Sequence, residues 1–235
     1  MDKLCFATGN LWRIANKIDV MEIISQLDVS GVEYTYGKVY GERIPNEKDF
    51  DMLKNYNYNS VHAPFRLSLD LVSEEEFNET MDLIVSDYKK MGAKNIVSHP
   101  TQKLPDKLSK LDFITENLNP KGVPNLRPRL GFEKILEKRS DWGLCLDASH
   151  AYDWDPLETE RIVKKWKKRI KQVHFSNNRY HKDHLTFKKV SRGFLKSIEP
   201  LSDLNVPIII EEDMPYTKVS EIKKEIKRVR EILAL

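Results

Sequence analysis

The chain alternates short apolar runs with longer segments in which apolar residues recur at three- and four-residue intervals. The short runs predict β-strands, and the longer segments predict amphipathic helices. Because strand and helix alternate along the whole chain, we expect a parallel sheet covered by helices. Eight such units favour a closed (β/α)8 barrel, the TIM-barrel fold, over an open doubly wound sheet. The eight predicted strands are 4–8, 32–36, 59–65, 94–99, 113–116, 143–146, 170–175 and 206–210.

The predicted helices have recognisable start and stop signals. Ser73 with Glu76 forms a capping box that begins a helix, and Gly92 is placed to end it. The polar segment 119–128 predicts a long loop, and 101–110 has the weakest helical pattern. The remaining helices are expected at 12–26, 47–54, 132–138, 156–168, 190–204 and 219–233.

Length and composition fit one compact barrel domain over residues 1–235, since 40% of the residues are hydrophobic. No apolar stretch approaches the roughly 20 residues of a membrane helix, and the N-terminus has no signal-peptide pattern. We therefore expect a cytoplasmic protein without membrane association. Cys5 and Cys145 lie in predicted strands and are expected to be small core residues rather than a disulfide. A net charge of +3 neither indicates nor excludes nucleic-acid binding.

Most of the six histidines follow an apolar run, and two glutamates share this placement. Side chains at the carboxyl ends of barrel strands converge on one face, where residues from many strands can meet. Neutral imidazole and carboxylate are ordinary ligands of zinc and of related divalent metals. The pattern therefore predicts a metal site on this face. The residues so placed are His62, His99, His150, His174, His181, His184, Glu116 and Glu211.

Each of these residues also has an ordinary structural interpretation. A single histidine at a strand end is usually a hydrogen-bonded structural residue, and only the joint placement after several strands favours a site. Asp147 and His150 either form a turn with a capping aspartate or bind one metal or two adjacent ones. Glu211 is either a solvated charge or a ligand; as the first polar residue after 206–210 it is better placed than Glu212.

Several motifs resemble the xylose-isomerase-like barrels, and among them the endonuclease IV family, which cuts DNA at abasic sites. The most specific is 143–152, which contains Asp147-Ala148-Ser149-His150. The resemblance runs in order from the third predicted strand to the eighth. The other matching segments are His62-Ala63-Pro64-Phe65, His99-Pro100, Thr115-Glu116-Asn117, Val173-His174-Phe175-Ser176-Asn177 and Pro207-Ile208-Ile209-Ile210-Glu211.

The resemblance implies a site for two or three zinc ions. The family also uses an aspartate two residues before its last histidine, where this chain has Lys182. Asp183 and His181 are nearby but out of phase, so either could substitute, or the third ion could be absent. By resemblance, the first ion is held by His62, His99 and Glu116. The second is held by Glu116, Asp147, His174 and Glu211. The third is held by His150 and His184.

The resemblance implies a phosphodiester hydrolase that acts on abasic-site DNA, in DNA repair, or on another phosphate ester. Divalent metals supply a water-derived nucleophile near neutral pH and neutralise phosphate oxygens. Glu116, Asp147 and Glu211 are the predicted catalytic residues.

The alternative is a sugar or sugar-phosphate isomerase or epimerase. The quartet Glu116, Asp147, His174 and Glu211 also resembles the single-metal site of those enzymes, which would hold one Mn²⁺, Mg²⁺ or Co²⁺. Glu116 and Glu211 would then move a proton beside the carbonyl, and His150 would contact the substrate. His62 and His99 favour the hydrolase, because the quartet does not need them. A third possibility is a metal-binding barrel that has lost catalysis.

Residues beyond the metal ligands give weaker predictions of substrate contact. An aromatic residue such as Phe65 can wedge into a nucleic-acid groove, although after a strand it is more often core or pocket wall. Arginines expected in loops of the same face can meet phosphates or can be ordinary surface residues. The predicted contacts are Phe65, Asn177, Arg179 and Arg192, with Arg127 and Arg129 as further loop arginines.

Overall fold

The structure is a computed structural model of the 235-residue chain. It describes residues 3–14, 19–36, 45–64, 67, 72–100, 111–120, 128–216 and 218–234; for 128–130 only the backbone is described. The predicted helix at 101–110, Phe65 and Arg127 lie outside the described residues, and so does the side chain of Arg129.

Eight strands form a closed barrel in the order β1 to β8, and every neighbouring pair is parallel. The predicted TIM-barrel fold is therefore confirmed. The strands are β1 Leu4–Ala7, β2 Gly31–Thr35, β3 Tyr58–His62, β4 Asn95–Ser98, β5 Phe113–Glu116, β6 Gly143–Asp147, β7 Ile170–Phe175 and β8 Ile208–Ile210.

Helices of the described chain pack outside the barrel. α3 begins after Ser73, whose side chain accepts a hydrogen bond from Glu76 N, and ends at Gly92, which has φ +61°. The predicted start after Ser73 and the predicted end at Gly92 are thus confirmed. The helices are α1 Val20–Ile24, α2 Glu47–Leu53, α3 Glu74–Met91, α4 Pro128–Lys138, α5 Ala148–Trp154, α6 Glu158–Trp166, α7 Arg192–Ser197 and α8 Val219–Leu233.

Three helix predictions were wrong in extent. The helix predicted at 12–26 begins only at Val20, because the Asp19 side chain accepts hydrogen bonds from Met21 N and Glu22 N and caps it there. The helix predicted at 190–204 is divided into α7 and a 3₁₀ helix, Glu199–Asp203, which contains Pro200. The loop predicted to reach residue 128 gives way to α4, which begins at Pro128.

A further helix was missed, because α5 begins at the residue after β6. The prediction had a loop there. Asp147 is the last residue of the strand and also the N-cap of α5, since its side chain accepts from His150 N. A strand that passes directly into a helix leaves no turn residues in the sequence to mark the change.

Side chains alternate between the helix layer and the barrel interior along each strand. On β7, Val173 and Phe175 join the large core cluster between barrel and helices. The interior holds smaller apolar clusters and several buried polar residues, among them Glu33, Gln172 and His174.

Cys5 and Cys145 are both buried in the interior, as predicted, and neither thiol is joined in a disulfide. In the described part of the chain, every helix is too short or too polar to cross a bilayer.

Candidate metal centre

The carboxyl ends of the strands bring the predicted ligands together. His62, Glu116 and Asp147 are the last residues of β3, β5 and β6, and His99 and Glu211 directly follow β4 and β8. These positions share one end of a parallel barrel, so their inward side chains converge. Four overlapping groups of histidines and carboxylates result, each with ligand atoms within 4.8 Å of one another: His62–His99–Glu116, Glu116–Asp147–His174–Glu211, His150–Asp183–His184, and His62–His174–Glu211.

The first group is His62, His99 and Glu116. The Nε2 atoms of both histidines lie 3.3 Å from Glu116 Oε2. His62 Nδ1 lies 2.7 Å from the backbone oxygen of Ala63, to which it donates when protonated, so that Nε2 is left to face the site. A metal bound here would replace the protons between these nitrogens and the carboxylate.

The second group is the quartet Glu116, Asp147, His174 and Glu211. His174 Nδ1 lies 3.2 Å from Glu116 Oε1 and 2.8 Å from Glu211 Oε2. Asp147 uses Oδ1 to cap α5, accepting from Ser149 Oγ and His150 N at 2.8 and 2.7 Å. Its buried Oδ2 accepts no hydrogen bond from the residues that the structure describes. Such an orphaned carboxylate oxygen inside a ring of N and O donors fits a divalent cation.

The two interpretations of Asp147 are therefore compatible. One oxygen is the predicted cap, and the other is available to be a ligand.

Glu116 connects the first two groups. Its Oε2 faces His62 and His99, whereas its Oε1 faces His174. One carboxylate therefore presents a separate oxygen to each set of nitrogens. This is the arrangement expected of a ligand that bridges two ions.

The third group is His150, Asp183 and His184. His150 Nε2 lies 3.4 Å from Asp183 Oδ2, which also accepts a hydrogen bond from Asn119 Nδ2. His150 Nδ1 lies 3.0 Å from Asn117 O, and His184 Nδ1 lies 3.0 Å from Glu211 O. Asp183 thus occupies the position next to both histidines.

His181, the other proposed substitute for the missing aspartate, lies elsewhere. Its Nδ1 is 2.8 Å from Asp153 Oδ1, and the side chain is mostly exposed. Among the described residues, the histidine–carboxylate groups contain Asp183 and not His181.

The loop between β7 and α7 explains why Asp183 rather than residue 182 faces the site. Arg179 N donates to Lys182 O at 3.0 Å and Lys182 N donates back to Arg179 O at 3.2 Å. Between them Tyr180 and His181 have φ of +55° and +59°, and His184 has φ of +51°. This tight turn and the left-handed His184 after it change the direction of the chain, so that Asp183 faces the site. The spacing of residues along the sequence does not by itself predict this.

Burial and charge shift the pKa values of the site strongly. Burial alone would raise the pKa of Glu116, but His174, His62 and His99 hold that pKa well below its ordinary value. Burial opposes protonation of His62, yet Glu116 raises its pKa to about 9. Burial likewise opposes protonation of His150, and Asp147 raises its pKa to about 10. Without metal, imidazolium ions therefore balance the carboxylates, and a bound cation would displace those protons.

The predicted substrate residues have different surroundings. Asn177 is buried and donates from Nδ2 to Thr186 O and Lys189 O, both at 2.9 Å, so it braces the loop. Arg179 is exposed, and its guanidinium lies 5.7 Å from the centre of the Tyr180 ring. Arg192 is exposed at the start of α7. Substrate contact by these residues stays a prediction.

Sequence reasoning missed one residue beside the site, Glu33. It lies in the barrel interior with 0% exposure, and its carboxylate is 3.0 Å from His174 Nε2. The available signal was a charged residue enclosed by apolar neighbours within a predicted strand, Val32-Glu33-Tyr34. Of Glu211 and Glu212, only Glu211 belongs to the histidine–carboxylate groups of the described residues.

Comparison with known proteins supports the fold at low sequence identity. No protein-family model matches the chain, and no curated protein matches its sequence. Solved structures match over nearly the whole length. Endonuclease IV from Thermus thermophilus has a TM-score of 0.61 and 15% identity, covering 99% of each chain.

Other matching structures carry different descriptions. A xylose isomerase domain-containing protein from Salmonella typhimurium has a TM-score of 0.71 and 14% identity, covering 100% of this chain and 98% of the other. D-allulose 3-epimerase from Methylomonas sp. has a TM-score of 0.67 and 12% identity, covering 97% and 96%. The chain has the fold of the xylose-isomerase-like TIM barrels. At these identities the likeness shows the fold alone.

Proposed function

We propose that the chain is a metal-dependent phosphodiester hydrolase of the endonuclease IV type, holding two or three zinc ions and acting on abasic-site DNA or another phosphate ester. The observation that carries this proposal is the position of Glu116. Its Oε2 faces His62 and His99 and its Oε1 faces His174, an arrangement that a single-ion site does not require. The proposal also gives His62 and His99 a role as ligands, whereas a single-ion site built from the quartet would not use them.

The residues present fit zinc. All donors are imidazole nitrogens or carboxylate oxygens, and the Nδ1 atoms of His62, His150 and His184 each face a backbone carbonyl, which fixes which nitrogen meets the ion. His62, His99 and Glu116 would hold one ion, and the quartet would hold a second. His150, Asp183 and His184 would hold a third.

Each part of the chain then has a defined task. The bound ions supply charge that polarises a phosphate ester and activates water. Asp147 is held by its capping bonds and presents Oδ2 in a fixed direction. Glu211 has a side chain 17% exposed, compared with 1% for Glu116. It therefore lies nearest the solvent side of the quartet, where a carboxylate can take a proton from an attacking water.

The experiment begins with the metal content of purified protein by plasma mass spectrometry after mild dialysis. We expect two or three tightly held zinc ions per chain. An abasic-site oligonucleotide is then incubated with the zinc-loaded protein, with His62→Ala and Glu116→Gln as variants. Strand cleavage by the parent and its loss in both variants support the proposal, whereas cleavage that persists in both variants contradicts it.

A sugar isomerase or epimerase is the second candidate, and the quartet itself favours it. Glu116 Oε1 and Glu211 Oε2 lie on either side of His174 Nδ1, at 3.2 and 2.8 Å. Two carboxylates flanking one ligand nitrogen could place a bound sugar between a proton donor and a proton acceptor. One Mn²⁺, Mg²⁺ or Co²⁺ would suffice.

His99 of the first group separates the two candidates. In an epimerase, His99→Ala would leave turnover of a sugar or sugar phosphate largely intact, because His99, unlike His62, shares no group with His174 and Glu211. One labile ion, better restored by manganese than by zinc, together with activity in a sugar screen, would favour this candidate over the hydrolase.

A further inference from the structure

We propose that Glu33 is a positioning residue of the metal centre: its buried carboxylate accepts the Nε2 proton of His174 and thereby presents Nδ1 of that histidine to the ion. This inference rests on the metal site of the proposed function, but it does not depend on the reaction that the site performs.

His174 is oriented differently from three other histidines of the site, His62, His150 and His184. In His62, His150 and His184 the Nδ1 atom faces a backbone carbonyl, at 2.7, 3.0 and 3.0 Å. In His174 the Nδ1 atom faces the site, between Glu116 and Glu211, and Nε2 points down into the barrel. A backbone carbonyl therefore fixes the other three, whereas His174 needs a side-chain acceptor on the opposite side.

Glu33 is placed to be that acceptor. It lies on β2 with 0% exposure, and its Oε2 is the hydrogen-bond partner of His174 Nε2 at 3.3 Å. Its Oε1 lies 3.0 Å from the same nitrogen in ion-pair contact. Among the described residues its ion-pair partner is His174, and its other donors are neutral: Ser60 Oγ at 2.9 Å and Gln172 Nε2 at 2.7 Å. A buried carboxylate is costly without a strong donor, so a proton on His174 Nε2 stabilises it.

Gln172 raises a competing arrangement, because its Nε2 is also 3.0 Å from His174 Nε2. The amide could donate to the ring, which would leave the His174 proton on Nδ1 and so block the ion. The surroundings favour the arrangement in which His174 Nε2 donates to Glu33. Tyr58 O–H donates to Gln172 Oε1 at 2.7 Å, which turns the amide nitrogen toward Glu33. That nitrogen already donates to Glu33 Oε2, so both donors converge on the carboxylate.

The network continues across the interior. Asn95 Nδ2 donates to the Tyr58 hydroxyl at 2.7 Å, and that hydroxyl donates to Gln172. The orientation of Gln172 is therefore set from β4 and β3, far from the ligands. A carboxylate behind a ligand histidine raises the ligand's basicity and fixes its ring, an outer-shell effect common in metal sites.

The test compares Glu33→Gln and Glu33→Leu with a matched control, Ser60→Ala, which removes a neutral donor from the same carboxylate. Zinc affinity of each purified protein is measured at fixed pH by competition with a chromophoric chelator. We expect weakening within the range of about 10- to 100-fold for the Glu33 variants, greater for Leu than for Gln, and little change for the control. Unchanged affinity in folded Glu33→Gln and Glu33→Leu proteins would overturn the proposal.

A second measurement needs no Glu33 variant. In ¹⁵N-histidine-labelled protein, the side-chain nitrogen resonances of His174 are assigned by their loss in His174→Gln. We expect a slowly exchanging proton on Nε2 in both the metal-free and zinc-loaded forms. An unprotonated Nε2 with a proton on Nδ1 would mean that Gln172 donates to the ring, and would refute the role of Glu33.

These readouts separate the possible failures. If the parent protein binds no zinc, the proposed function fails and the role of Glu33 at a zinc ion fails with it. If the parent binds zinc and the folded Glu33 variants bind it equally well, the role of Glu33 alone is overturned. If Glu33 is merely structural, its variants unfold at lower denaturant concentration but their folded molecules bind zinc as the parent does, which contradicts the proposal.

Discussion

The proposed ligands at the strand ends and those in the loop are held in different ways. His62, Glu116 and Asp147 end barrel strands, and their side chains are at most 6% exposed. Asp183 and His184 lie in a loop, the Asp183 side chain is 26% exposed, and His184 has a left-handed backbone. The barrel positions the first set through its hydrogen-bonded strands, whereas the loop must be held by its own turn and by Asn177. We therefore expect the first and second groups, the strand-end groups, to bind metal tightly. We expect the third group, the loop group, to bind metal less tightly.

The largest effect is expected from Glu116→Gln, which removes the residue shared by both strand-end groups. An amide cannot supply two anionic oxygens, so both ions should be lost together. Activity should fall by more than the approximately 10- to 100-fold that is typical when the changed residue contacts a metal ligand but not the metal itself. Metal content by mass spectrometry and turnover on the substrate found for the parent check this. Circular dichroism shows that the barrel remains folded; retention of one strand-end ion in folded protein would contradict the bridging role.

A smaller effect is expected from Asp183→Asn, which alters the loop group alone. The variant should lose one equivalent of metal and keep the strand-end ions, because Asp183 belongs to neither of their groups. Lys182→Ala is the matched control, since it changes the adjacent position where the resembling family has its aspartate. Metal counts for the two variants decide the assignment. Loss of the ion in Lys182→Ala but not in Asp183→Asn would reverse it.

The pH dependence of stability tests whether protons and metal ions compete for the same histidines and carboxylates. In the folded metal-free protein the pKa of His62 is raised from 6.5 to about 9, and that of His150 from 6.5 to about 10. Their stabilising contribution is therefore complete below pH 6.5 and is lost as pH rises through these two values. We expect the Tm of metal-free protein to fall over this range, and the Tm increase caused by zinc to grow, because fewer protons compete.

Thermal unfolding at several pH values, with and without zinc, checks this expectation. His181→Ala serves as the control, since that histidine lies on the exposed rim beside Asp153. A metal-free Tm that stays constant or rises between these pH values would show that the imidazolium–carboxylate pairs do not form.

The smallest effect is expected from relieving backbone strain at Tyr180, in the turn between Arg179 and Lys182. Tyr180 has φ of +55° at a position where asparagine is favoured, and its side chain is 86% exposed. Tyr180→Asn should raise the free energy of unfolding by up to about 1 kcal/mol. Tyr180→Ala, which removes the ring without favouring a left-handed backbone, should not. Chemical denaturation measures both, and equal stability of the two variants would argue against strain in this turn.

Much of the fold was predictable from the hydrophobic pattern. β5, β7 and α8 have the predicted limits, because each combines a clear period with polar residues at both ends. The pattern failed where one element passes directly into another. Asp147 ends β6 and caps α5 at once, so no turn residues separate the two. It failed also at α7, which Pro200 separates from a predicted continuation.

The sequence by itself determined the barrel, the end of the barrel that carries the candidate site, and most of the proposed ligand types. Short apolar strands that alternate with helical segments predict a parallel sheet, and parallel strands place their last residues on one face. Only the tertiary structure decided that Asp183 rather than His181 joins His150 and His184, because a turn with left-handed residues sets which side chain points inward. It alone brought Glu33 beneath His174, since these residues are distant along the chain and meet only when β2 and β7 line the same closed interior.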